Sequence, residues 1–96
     1  MRPFYSEQAI GDLVRLRVFI ARKNPSAAAR IAAELIARME NLSRFPEMGR
    51  EVNHAPDPKA VRDAIFGNDI VRYAPRAQVV IVLRIWHHYE DRGAGA

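Results

Sequence analysis

Apolar residues recur along this chain with two different periods, and the change of period divides it in two. In the first half, Ala9, Leu13, Leu16 and Ile20 fall on one face at helical spacing, with Ile10 at its edge and Arg15, Arg22 and Lys23 opposite. Ala28, Ile31, Leu35, Met39 and Leu42 repeat that stripe. From residue 60 onward the pattern becomes a series of short apolar runs bounded by turn residues: 60–66, 69–74 and 78 to about 88. Gly67-Asn68 separates the first two as a hairpin turn, and Pro75-Arg76 separates the last two.

Boundary residues sharpen the elements. Arg2 to Tyr5 predicts a short strand, after which the hydroxyl of Ser6 can accept from an early helical N–H. Glu7 and Asp12 sit where the positive end of the helix dipole favours acids. The first helix ends near Lys23, because a residue preceding proline avoids the α region. Asn24-Pro25 predicts an immediate second helix, capped by Asn with Pro at its first position, running to about Arg44. Arg30, Glu34 and Arg38 are spaced for pairing along it. Residues 45–50 read as a turn and 51–59 as an irregular loop. The order β-α-α-β-β-β implies an α+β fold: an N-terminal strand, then an α-helical hairpin packed on one face of a mostly antiparallel sheet. A single domain over residues 1–92 and a disordered tail at 93–96 are expected.

Composition narrows the function classes. An apolar fraction of 49% is that of a globular chain, and the absence of Cys excludes disulfides and Cys-based zinc sites. The sequence offers no signal-like start and no apolar stretch of membrane-spanning length, so a soluble cytoplasmic protein without membrane contact, metal or cofactor is expected. The net charge of +4 is unevenly placed. Residues 1–23 carry five basic and two acidic groups, whereas residues 51–96 carry six of each. A basic nucleic-acid groove is not indicated, and an acidic protein partner is at least as suitable.

The chemistry-bearing side chains gather on the last strand, where an apolar run ends in Arg84, Trp86, His87, His88 and Tyr89. Strict alternation sends Val79, Ile81, Leu83 and Ile85 one way, under the helices, and Val80, Val82, Arg84, Trp86 and His88 the other. Arg84 then either meets a target or pairs with Asp63 or Asp69 across the sheet. His87 either moves protons or fixes the strand end through a backbone carbonyl. On the first helix, Val14, Val18 and Phe19 lie outside the buried stripe and, with Arg15 and Arg22, suit either a protein contact or the cover of the sheet edge.

Several segments together resemble the RelE/ParE toxin superfamily, and its ParE branch in particular. They are Ala9-x-x-Asp12-Leu13, Asn24-Pro25-x-Ala27-Ala28, Leu42-x-x-x-Pro46-x-x-Gly49-Arg50, the hairpin carrying Arg72-Tyr73, and Ile81-x-Leu83-Arg84-Ile85-Trp86-His87. The resemblance implies a toxin of a type II toxin–antitoxin module, used in plasmid stabilisation and growth inhibition and neutralised by a cognate antitoxin. The antitoxin surface would include Val14, Val18, Phe19, Arg15 and Arg22; a homodimer is the other use of that surface. ParE-like members are associated with inhibition of DNA gyrase, which would make Arg84, Trp86, His88, Arg72 and Tyr73 the target-binding set. RelE-like members cut mRNA on the ribosome without a metal, and for that chemistry His87, His88, Arg84 and Arg62 are the catalytic candidates. The His88-Tyr89 ending is similar to that of some ribonuclease members, but Glu90 and Asp91 follow it, and residues 51–76 carry one lysine and no net charge. The binding reading is therefore preferred, with no chemistry of its own.

Overall fold

The computed structural model of the chain describes residues 2–52 and 60–87. Strand β1 (Phe4–Tyr5) leads into helix α1 (Glu7–Lys23) and helix α2 (Ala28–Glu40), which ends in a 3-10 turn over Asn41–Ser43. Strands β2 (Arg50–Glu51), β3 (Arg62–Phe66), β4 (Asp69–Pro75) and β5 (Val80–His87) follow. The sheet order is β1-β5-β4-β3-β2, with β1 parallel to β5 and the other pairs antiparallel. The expected α+β arrangement holds, with a mixed five-stranded sheet. No helix among the described residues is long and apolar enough to cross a membrane.

Local chemistry explains the boundaries. Ser6 is the N-cap of α1, its Oγ accepting from the Ala9 N–H at 3.0 Å. Asn24 closes α1 instead of opening α2: its N–H donates to the Ile20 carbonyl at 2.7 Å, and its own carbonyl accepts from the Ala27 N–H at 3.1 Å. Pro25 thus lies in a turn, and α2 starts three residues later than the Asn-Pro signal suggests. In the segment expected to be turn and loop, Arg50 and Glu51 pair with Asp63 and Arg62 as β2. The β3–β4 turn requires its glycine, since Gly67 has φ +61° and no other described residue has positive φ.

The core lies between the helical hairpin and one sheet face. Ala9, Leu16, Leu35, Met39 and Leu42 pack against Ala64, Val71, Tyr73, Val82 and Ile85. The last strand departs from strict alternation here. Arg72 pairs with Arg84 but the next residue, Tyr73, pairs with Val82, so Leu83 is an extra residue in β5. Before this bulge Val80 and Val82 face the core, where Ile81 and Leu83 were expected; after it Ile85 does, as expected. One inserted residue reverses the faces of everything on one side of it.

Candidate functional site

Beyond the bulge, the sheet face turned away from the helices carries two adjacent cross-strand rows. Asp63, Arg72 and Arg84 form one across β3, β4 and β5, and Ile65, Ile70 and Trp86 form the next. Arg84 and Trp86 therefore share the open face, as alternation predicted, and Arg72 joins them from β4. Both guanidiniums lie over the Trp86 ring, that of Arg72 5.0 Å and that of Arg84 5.4 Å from its centroid.

Each of these cations is held by a carboxylate. Arg72 makes a two-point bond to Asp63, Nε to Oδ1 at 2.9 Å and Nη2 to Oδ2 at 3.0 Å. Arg84 reaches neither Asp63 nor Asp69; its partner is Asp12 of α1, with Nε 2.8 Å from Oδ2 and Nη2 3.2 Å from Oδ1. The hydrogen bonds it donates to Asp63 hold the Arg72 guanidinium above its ordinary pKa, and those donated to Asp12 do the same for Arg84.

Asp12 also closes the free edge of β5. Strand β1 covers that edge only at Ile81 and Val82. At the bulge, Ser6 Oγ donates to the Leu83 carbonyl at 2.9 Å. Beyond it, the Ile85 N–H donates to Asp12 Oδ2 at 2.8 Å, and Arg15 Nη2 donates to the Ile85 carbonyl at 2.9 Å. Arg15 also bonds Asp12 directly. A helix thus satisfies backbone groups that a further strand would otherwise pair. Burial acts to raise the Asp12 carboxyl, but the bonds from Arg84, the Ile85 N–H and Arg15 outweigh it and hold the group below the ordinary aspartate range.

The remaining candidates lie elsewhere. His87 is on the helix-facing side of β5, its Nδ1 3.0 Å from Asp69 Oδ1 and its ring 5.3 Å from that of Phe19. It borders a cavity of about 290 Å³ between the tip of the helical hairpin and the β3–β4 turn, whose rim includes Lys23 and Arg38. A carboxylate on the neighbouring strand is thus one of its partners. Arg62 points to the other end of the sheet and donates to the Gly49 carbonyl at 2.7 Å. Tyr73, expected on the target surface, is fully buried. Its hydroxyl donates to the Pro46 carbonyl at 2.7 Å and accepts from the Gly49 N–H at 2.9 Å, so it locks the turn after α2. His88 lies outside the described residues. On α1, Val14 and Val18 are 62% and 48% exposed and Arg22 is exposed, whereas Phe19 is half-buried against His87. Among the described residues no group of His, Cys, Asp and Glu is arranged to hold a metal ion.

Sequence reasoning missed Asp12, which it assigned to the helix dipole. The signal was present: Asp12 lies three residues after Ala9 and four before Leu16, inside the buried stripe. An acid at such a position needs a cationic or N–H partner.

A family model for the ParE toxin of the type II toxin–antitoxin system parDE matches residues 4–92. The chain belongs to the ParE toxin family. The match spans both helices and all five strands, including the Asp12–Arg84 pair. Toxin RelE1 of Caulobacter vibrioides is 35% identical over 89 residues, covering 91% of this chain and 92% of that protein. A solved structure described as the chromosomal ParDE TA system from P. aeruginosa superposes with a TM-score of 0.75 at 16% identity, covering 91% of this chain and 95% of that one. At that identity the superposition establishes the ParE-type fold alone. The open-face rows and the α1–β5 clasp are thus features of a type II toxin of the ParE/RelE family.

Proposed function

We propose that this toxin acts by binding DNA gyrase through the open face of its sheet, without catalysing a reaction, and that a cognate antitoxin neutralises it. The reading rests on one observation above others: among the described residues, the candidate for acid–base work and the arginines of the open face do not converge. His87 faces the helices and is engaged with Asp69, while Arg72 and Arg84 face the opposite side and are engaged with Asp63 and Asp12. RNA cleavage needs a proton acceptor and cations around a single phosphate. What the open face offers instead is a tryptophan beside two charge-balanced arginines and an apolar row, a composition suited to a protein surface. The contact set is Arg72, Arg84 and Trp86. The ParE family match over residues 4–92 supports gyrase as the partner, because the ParE branch is the one associated with gyrase inhibition.

The antitoxin is assigned to α1, where Val14 and Val18 expose apolar surface beside Arg15 and Arg22. An acidic amphipathic segment complements that surface. Cytoplasmic action goes with this reading, since the proposed target works inside the cell.

Induction of the toxin in a sensitive bacterium tests the reading. It predicts growth arrest with a DNA-damage response and intact mRNA, reversed by the antitoxin. Codon-positioned mRNA ends on translating ribosomes, abolished by His87→Ala or His88→Ala, would overturn it in favour of a RelE-like ribonuclease.

A further inference from the structure

The orientation of Arg84 on the open face is imposed from another layer of the molecule. Arg72 and Arg84 stand directly opposite each other on β4 and β5, a like-charge pairing that is unfavourable unless each charge is answered. Asp63 answers Arg72 from within the same row. The answer to Arg84 comes from α1, through a side chain that is itself only 3% exposed. Asp12 has little freedom there, because its Oδ2 also accepts from the Ile85 main-chain N–H and its Oδ1 from Arg15. A carboxylate fixed to the backbone of β5 thereby fixes the neighbouring guanidinium in two dimensions, through both Nε and Nη2.

We propose that Asp12 is a positioning residue for the target-binding face: it holds the Arg84 guanidinium over Trp86 in the orientation that the target meets. The inference rests on reading the open face as the target-binding surface. Without the carboxylate, Arg84 faces the charge of Arg72 uncompensated and loses both bonds that direct it. The Trp86 ring then keeps only the Arg72 guanidinium in its fixed place. Asp12 itself does not touch the target; it acts through Arg84.

The test compares Asp12→Asn, Arg84→Ala and the double variant. An asparagine oxygen in the Oδ2 place still accepts from the Ile85 N–H, so the edge of β5 remains closed, while the charge is removed and an amide NH2 that cannot accept faces Arg84 Nη2. The readouts are growth arrest at matched soluble toxin levels and the melting temperature of each purified protein. Each single variant is expected to lower toxicity about tenfold or more. The double variant is expected to be no weaker than Arg84→Ala alone, since the two residues act as one unit. Losses that add, or full toxicity of Asp12→Asn beside a weakened Arg84→Ala, would overturn the positioning role and leave the open-face reading intact. Full toxicity of Arg84→Ala would overturn the open-face reading and this inference with it.

A measurement on the unaltered protein covers the case in which Asp12→Asn does not fold. The Arg84 Nε–H nuclear magnetic resonance signal should be sharp and slow to exchange at neutral pH, and should collapse on acidification as Asp12 takes up a proton. Among the described residues, the other charged side chain bonded to Asp12 is that of Arg15 on its own helix, and an arginine stays protonated throughout that range. A rapidly averaging Arg84 side chain at neutral pH would overturn the proposal.

Discussion

Asp69 and His87 face each other across β4 and β5, Oδ1 to Nδ1 at 3.0 Å, on the helix side of the sheet. That pairing takes the one histidine of the described residues away from the two arginines of the open face. It also satisfies a buried carboxylate beneath the helical hairpin.

His87→Ala is therefore expected to act on stability and not on toxicity per folded molecule. It leaves Asp69 buried without this partner, at a cost of about 1–3 kcal/mol. Urea unfolding measures the first effect. Growth arrest at matched soluble protein measures the second, and a toxin made inactive but fully folded would contradict the assignment.

Tyr73→Phe removes a hydroxyl that joins the Gly49 N–H to the Pro46 carbonyl. The buried N–H loses its acceptor, and a loss of about 1–3 kcal/mol is expected by denaturant unfolding. The same contact dictates glycine at position 49, since a Cβ there would lie 2.7 Å from the Tyr73 ring. Gly49→Ala should destabilise by a similar amount, through overpacking.

How far these features can be read from the chain depends on whether their cause is local. The N-cap of α1, the glycine turn at 67 and both buried helical stripes follow from residues close in sequence, and the α+β order follows from them. The N-terminus of α2 was misplaced because Asn24-Pro25 serves equally as the end of one helix. The bulge at Leu83 left no mark in an unbroken apolar run, so the faces of β5 before it came out reversed. Tyr73 was assigned to the surface because a strand tyrosine reads the same whether its hydroxyl meets solvent or a distant turn. The Asp12–Arg84 bond joins residues 72 positions apart, and only the presence of an acid in an apolar stripe hinted at it.

The pH dependence of stability should show Asp12. Its carboxyl is held below the ordinary value of 3.8 in the folded chain. A depressed carboxyl contributes stability that is present above the unfolded value and is lost as pH falls through the folded one. The difference in unfolding free energy between the wild-type chain and Asp12→Asn should be constant from about pH 6 upward and shrink progressively below about pH 5. Denaturant midpoints across that range provide the check, and a difference that grows in acid would contradict the assignment.

Val14→Asp combined with Val18→Asp probes the antitoxin surface. Both side chains are exposed, so each change should alter stability by no more than about 0.5 kcal/mol. Antitoxin affinity should fall by about tenfold or more, because charges then face an acidic, apolar-faced segment. Calorimetric titration with the purified antitoxin measures it, and unchanged affinity would move the antitoxin off this face of α1.

The central claim is that the open face of the sheet binds gyrase and performs no chemistry. DNA supercoiling by purified gyrase, titrated with the purified toxin, tests it most directly. Inhibition is expected, relieved by an equivalent of antitoxin and weakened about tenfold or more by Trp86→Ala, while His87→Ala inhibits as the wild type does. Supercoiling that proceeds unimpeded at saturating toxin, with mRNA cut on ribosomes by the same preparation, would contradict the account.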